Sequence, residues 1–166
     1  ARDLLDAELR EVLLEFDRGG SLPSTHESQG SDMGLFGGLM GWDAADERLP
    51  GSARALRETG VRVRIETVDV GDAHPNTYRL TLRGPPDERH TLIAISTGGG
   101  TIEVIDIDGF GVSSFGDRHE TLLTVTGDGQ ALVQRLATLV EADDIRLHEH
   151  GGRQLVQVTA AESLSE

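Results

Sequence analysis

The chain contains no cysteine. That absence removes disulfides, thiol nucleophiles, cysteine-type zinc sites and thiolate-held iron-sulfur clusters in one step. Any cluster chemistry must therefore come from another chain. No apolar run approaches the ~18 to 20 residues that cross a bilayer, and the first residues are charged rather than signal-like. The expected location is the cytoplasm, with no membrane contact. Basic residues are also scarce: 15 Lys and Arg stand against 29 Asp and Glu, a formal net charge of -14. Such a surface repels phosphate backbones and anionic lipid over most of its area, so no nucleic-acid partner is expected. The charge excludes partners better than it names them.

What is present is ordinary globular material, 166 residues with 37% hydrophobic and 27% charged, enough for one sizeable core or two small ones. The first seventeen residues are ambiguous. Leu5, Leu9, Val12, Leu13 and Phe16 fit a helical stripe, while Val12, Leu14 and Phe16 also alternate as in a strand. A polar, glycine-rich loop follows from Arg18 to Gly30. Ser31 then offers an N-cap, and Asp32 in the first turn suits the helix dipole, which predicts a short helix over 32–40. Gly34, Gly37 and Gly38 in its body each cost about 1 kcal/mol against Ala, so something must approach this helix closely. That is either a sheet or a substrate or partner.

Ser52 to Thr59 reads as a helix stopped by Gly60, and Val61 to Val70 as a strand with Val61, Val63 and Ile65 on one face. Alternation of Tyr78, Leu80 and Leu82, the apolar run 91–96 and the β-branched run 101–107 continue the pattern. These four segments predict one mostly antiparallel sheet, with Pro85 and Pro86 marking a turn. After a Gly, Ser and Asp-rich stretch over 109–117, a β-α-β-β unit is predicted. It consists of strand 120–126, helix 130–141 with Leu132, Val133, Leu136, Leu139 and Val140 on one face, and strands 145–150 and 154–159 joined by Gly151-Gly152.

The stretch GGSLPSTHESQGSDMGLFGGLMGWDAADERLP, residues 19–50, resembles the β domain of iron-sulfur-dependent L-serine dehydratases, where Gly-Thr-Asp leads into a glycine-rich helix. The similarity continues through VDVGDAHPNTYRLTL and STGGGTIEVIDIDGFGV in the family's order and spacing. The resemblance implies an α+β protein, with an allosteric-substrate-binding-type domain over 1–118, a shortened ACT-like β-α-β-β domain over 119–160, and a tail over 161–166. It also makes Glu11 to Asp17 a strand. By the same resemblance the partner is a cluster-bearing α subunit, in a homo- or hetero-oligomer acting on a small amino acid. The chain itself binds no cofactor, and the 4Fe-4S cluster sits on the partner.

Three departures from the family pattern matter. Its Ser-Ser-Ser-His-Thr motif is absent from this sequence. Gln29 stands where the family usually has His before Gly30, Ser31 and Asp32, so an imidazole gives way to an amide that cannot titrate. The ACT ligand loop, usually Asp-x-Pro-Gly, reads Gly127-Asp128-Gly129-Gln130, which weakens serine binding there.

The resemblance makes Thr25, Gln29, Gly30, Ser31 and Asp32 the loop toward substrate or partner, against the plainer reading of a hydrogen-bonded turn before a helix. His74 and Asn76 support a loop between strands. Gly98, Gly99 and Gly100 lack the Lys and Ser/Thr of a phosphate-binding loop and suit a tight turn or bulge. Asp128, Gly129 and Gln130 form the regulatory-type loop. His148 and His150 share a strand face, but spacing supplies no third ligand, so no metal site is expected. The expected function is the β component of such a dehydratase, inactive alone. The rival is a non-catalytic amino-acid-sensing or dimerisation module, favoured by Gln29.

Overall fold

In a computed structural model that describes residues 1–5 and 8–164, the chain divides into two compact units, Ala1–Ser96 and Thr97–Glu166. The first is organised around β1 (Glu11–Asp17). Val12, Leu14 and Phe16 are fully buried at alternate positions, so the period-two pattern prevails over the helical stripe in the same residues. β1 lies between β2 (Arg62–Val68) and β3 (Thr77–Arg83), and β4 (Arg89–Gly98) flanks β3.

The β3/β4 pairing is antiparallel, as expected, and β1 also pairs antiparallel with β3. β2 departs from that expectation, because it runs parallel to β1 from Glu11↔Arg62 to Asp17↔Val68. Parallel neighbours need a crossover of a dozen or more residues, usually helical. Residues 18–61 provide it as α1 (Leu22–Thr25), α2 (Ser31–Leu39) and α3 (Ser52–Glu58).

α2 and α3 cover one face of this sheet. Phe36, Leu39 and Leu56 pack with Val12 and Leu82, and Val61 and Val63 lie against the same cluster. Ile65 does not join them and is 39% exposed. Each large side chain buried here contributes about 1.5–3 kcal/mol. Buried Ser52 donates its hydroxyl to the Met33 carbonyl at 3.0 Å, tying α3 to α2.

Two local expectations need correction. The segment 18–30 is not all loop, since α1 forms inside it with Pro23 in its first turn, where a missing N–H costs nothing. The residue capping α2 is Gly30 at φ +76°, not Ser31, whose hydroxyl makes no capping bond. The left-handed backbone at that position favours glycine.

In the second unit β5 (Thr101–Ile107) and β6 (Phe110–Ser114) form a hairpin across Asp108-Gly109, both at positive φ. β6 thus occupies part of the stretch expected to be irregular. Then follow β7 (His119–Val125), α4 (Gly129–Leu139), β8 (Asp144–His150) and β9 (Arg153–Ala160), with sheet order β7-β9-β8 and both pairings antiparallel. The expected β-α-β-β order is present, with Gly151 and Gly152 at positive φ in the last turn. Leu139, placed on the apolar face by its spacing, is 66% exposed at the helix end. Phe110, Val112 and Leu155 form one core cluster of this unit, and Val156 and Val158 of β9 are fully buried. No helix among the described residues is long and apolar enough to cross a membrane.

Candidate functional site

The expected substrate loop and the His74–Asn76 loop converge at the C-terminal end of β1. There the chain leaves the sheet through Asp17, whose carboxylate accepts the amides of Gly19 at 2.7 Å and Asp72 at 3.1 Å. The Gly19 amide, then that of Asp72, holds this carboxyl below the usual carboxylate range. One step on, a β-carbon at Gly20 would lie 1.9 Å from the Pro75 carbonyl oxygen, so only glycine lets the two loops approach this closely. Asn76 fastens them, its Oδ1 accepting both the amide and the hydroxyl of Ser21 at 3.0 Å. The Asn76 amide donates to His74 Nδ1 at 3.2 Å, which fixes that nitrogen as an acceptor. Arg79, third residue of β3, forms a two-pronged pair with Asp72 in the same loop.

The remaining loop residues fold back on His26. Thr25 Oγ1 donates to the Ser21 carbonyl at 2.9 Å, and the Gln29 amide donates to the Thr25 carbonyl. The Ser31 amide donates to the His26 carbonyl at 3.0 Å. Beneath this turn the His26 ring stacks on Phe16 at 4.9 Å, and Tyr78 meets Phe16 edge-on at 5.4 Å. His26 Nδ1 lies 2.7 and 2.8 Å from the two Asp32 oxygens, and Tyr78 donates its hydroxyl to Ser31 at 3.3 Å. The site therefore gathers Thr25, Gly30, Ser31 and Asp32 with Asn76. It leaves the Gln29 side chain exposed and without a hydrogen bond among the described residues.

Sequence reasoning missed His26, Phe16 and Tyr78. The signal for His26 was present but faint, a histidine six residues before a carboxylate that opens a helix. Phe16 and Tyr78 become neighbours only through the register Phe16↔Tyr78 of β1 and β3, which no local spacing announces.

The glycines of α2 divide into two kinds. Gly37 packs on Leu49, where a β-carbon would lie 2.2 Å from a methyl, while added β-carbons at Gly34 and Gly38 meet nothing within 4 Å. Close packing accounts for Gly37 alone. Trp42, just beyond the helix, is half-buried under Arg48 at 4.5 Å.

The other expected residues belong to the second unit. Gly98, Gly99 and Gly100 all have positive φ and carry the chain from β4 into β5, with Thr101 Oγ1 donating to the Gly98 carbonyl at 2.6 Å. Asp128 caps α4 by accepting the Ala131 amide at 3.0 Å, and the Gly129 amide donates to Gln154 Oε1 at 3.0 Å. Gln130 is exposed in the first turn. His148 Nε2 is engaged at 2.9 Å by Gln157, which also donates to Glu120 at 3.0 Å. No three His, Cys, Asp or Glu among the described residues cluster closely enough to hold a metal ion.

No protein-family model matches the chain. A Bacillus subtilis (strain 168) protein named "Probable L-serine dehydratase, beta chain" is 29% identical over 140 residues, which are 84% of this chain and 62% of that protein. "L-serine dehydratase, beta chain" of Peptoniphilus asaccharolyticus is 25% identical over 135 residues, 81% of this chain and 60% of that protein. The chain thus spans less than two thirds of the length of these curated relatives. Over most of its own length, it is a homologue of L-serine dehydratase β chains.

Proposed function

We propose that this chain is the β component of an iron-sulfur-dependent dehydratase of L-serine or a related β-hydroxy amino acid. In this reading it completes or regulates an active site on a cluster-bearing α partner in the cytoplasm. The observation that carries the reading is the collinear similarity to two β chains over 135 residues or more, since a β chain implies a partner. A chain without cysteine does not fit a thiolate-held cluster, so the 4Fe-4S centre belongs to the partner. Residues 1–118 are the allosteric-substrate-binding-type domain, and their loop at Thr25 to Asp32, braced by Asn76, faces the substrate. Residues 119–160 are a shortened ACT-like domain. The order β7-β9-β8, in which two strands joined by a helix flank a third, supports that reading because it is a split β-α-β arrangement.

The second reading, an amino-acid-sensing or dimerisation module without catalysis, is favoured by Gln29, whose amide cannot move a proton. Co-expression with the cysteine-rich product of an adjacent reading frame separates the two. The dehydratase reading expects a complex that releases pyruvate from L-serine, with iron following the partner and neither chain active alone. A stable homodimer of this chain that takes up no cluster-bearing partner overturns it.

A further inference from the structure

Within the dehydratase reading, on which this inference rests, we infer that His26 oriented by Asp32 is the proton-transfer group of the loop, in the place of the histidine that Gln29 does not supply. The arrangement at His26 carries the argument. An ionised carboxylate only accepts hydrogen bonds, so with both Asp32 oxygens within 2.8 Å of Nδ1 the ring proton sits on Nδ1. The lone pair is left on Nε2, which has no partner among the described residues. The same division of labour orients the imidazole wherever a carboxylate fixes a base from behind.

The ring is held on its face by Phe16 at 4.9 Å, yet the side chain keeps about a fifth of its surface open. It is therefore fixed in orientation but reachable. Asp32 sits in the first turn of α2, where the helix dipole favours a carboxylate. The groups around the ring are few. Asp32 faces it from α2, and β3 presents the Tyr78 hydroxyl beyond the Phe16 ring, turned to Ser31. The neighbouring carboxylate of β1, Asp17, is turned to the Gly19 and Asp72 amides, and Glu27 on the loop itself is exposed.

In the dehydration, the α-proton of serine passes to His26 Nε2 while the C–H electron pair forms the Cα–Cβ double bond. The β-hydroxyl leaves with its own pair and recovers that proton from the imidazolium as water. Serine becomes 2-aminoacrylate plus water, with no oxidant or reductant consumed. Asp32 acts through His26 and is a positioning residue.

The test uses the complex of this chain with its α partner. His26→Gln is expected to lower kcat by about 10²-fold or more and to abolish the acid limb of the kcat/KM pH profile. Asp32→Asn, which keeps the shape and can still accept from Nδ1, is expected to lower kcat by about tenfold and to displace that limb. Nitrogen NMR of the His26 ring in the free chain is expected to show the proton on Nδ1 and a weaker Nδ1–H hydrogen bond in Asp32→Asn, so a variant that assembles poorly still reports on the pair. An active complex whose His26→Gln variant keeps the wild-type kcat and pH profile overturns the inference and leaves the dehydratase reading standing. A complex that assembles but releases no pyruvate at any pH overturns both. Loss of kcat in both variants with an unchanged pH profile makes the pair a structural brace and overturns the proton-transfer role.

Discussion

At the scale of single residues, the carboxylates that matter most to this fold work by accepting bonds rather than by carrying surface charge. Asp17 gathers amides from two loops. Asp46 is gripped by the Arg48 side chain and amide, and its pKa is lowered to about 2. The guanidinium fork makes such two-oxygen grips possible. Both folded pKa values lie below the ordinary 3.8, so the folded state binds fewer protons than the unfolded chain in the acid range. The stability these groups contribute is fully present above about pH 4 and is lost as pH falls toward 2. Asp17→Asn is expected to lower the urea midpoint at pH 7 and to flatten its fall between pH 5 and pH 3. An amide retains one acceptor oxygen for the two loops and does not titrate. Parallel wild-type and variant slopes over that range would show that Asp17 is not a source of the acid sensitivity.

At the scale of elements, α2 is the least self-sufficient piece of the molecule. Propensity argues against a nine-residue helix with three glycines in its body, and of the three only Gly37 meets a neighbour among the described residues. Gly34→Ala and Gly38→Ala, separately, are therefore expected to stabilise the free chain by up to about 1 kcal/mol each, seen as a rise in Tm of a few degrees. In the proposed complex the same changes are expected to weaken association with the α chain, measured by titration of one chain with the other. A rise in Tm with undiminished association would place this face in solvent.

The strands and helices with period-two or period-3.6 patterns were legible from residues alone, as the β7-α4-β8-β9 unit and the 52–58 helix show. β1 was legible only with the family resemblance, because Val12 and Phe16 belong at once to a helical stripe with Leu5, Leu9 and Leu13 and to an alternating set with Leu14. The parallel pairing of β2 was hidden because it depends on a crossover and not on anything within β2. β6 was missed because glycines and serines masked the Asp-Gly hairpin signal at 108–109. The segment from Thr25 to Asp32 was legible as a hydrogen-bonded turn before a helix, while a histidine was sought one residue before Gly30, at Gln29. His26 owes its place to long-range stacking on Phe16, and such contacts leave no trace in local spacing.

At the scale of the whole molecule, the charge balance becomes a stability term. The net charge is -14, and every one of the 15 basic residues is arginine, so carboxylates outnumber the cations able to pair with them nearly two to one. Individual exposed pairs such as Arg18–Asp69 and Arg54–Glu58 are worth about 0–1 kcal/mol each, and salt weakens them. The unpaired excess works in the opposite direction, because like charges on a compact surface repel at separations near the Debye length and the unfolded chain relieves that repulsion. That length shrinks from about 30 Å at 0.01 M to about 3 Å at 1 M salt. The self-repulsion is therefore screened out almost entirely over a range in which the local pairs lose only their small contributions. Tm is expected to rise by several degrees between 0.02 and 1 M NaCl, with most of the gain below about 0.3 M. Using chloride rather than sulfate keeps surface-exclusion effects small. A variant in which exposed Glu47, Glu66 and Glu141 become neutral amides should start from a higher Tm at low salt and gain less as salt is added. A Tm that falls monotonically with NaCl would mean that the arginine pairs outweigh the acidic excess, reversing the sign of this electrostatic term.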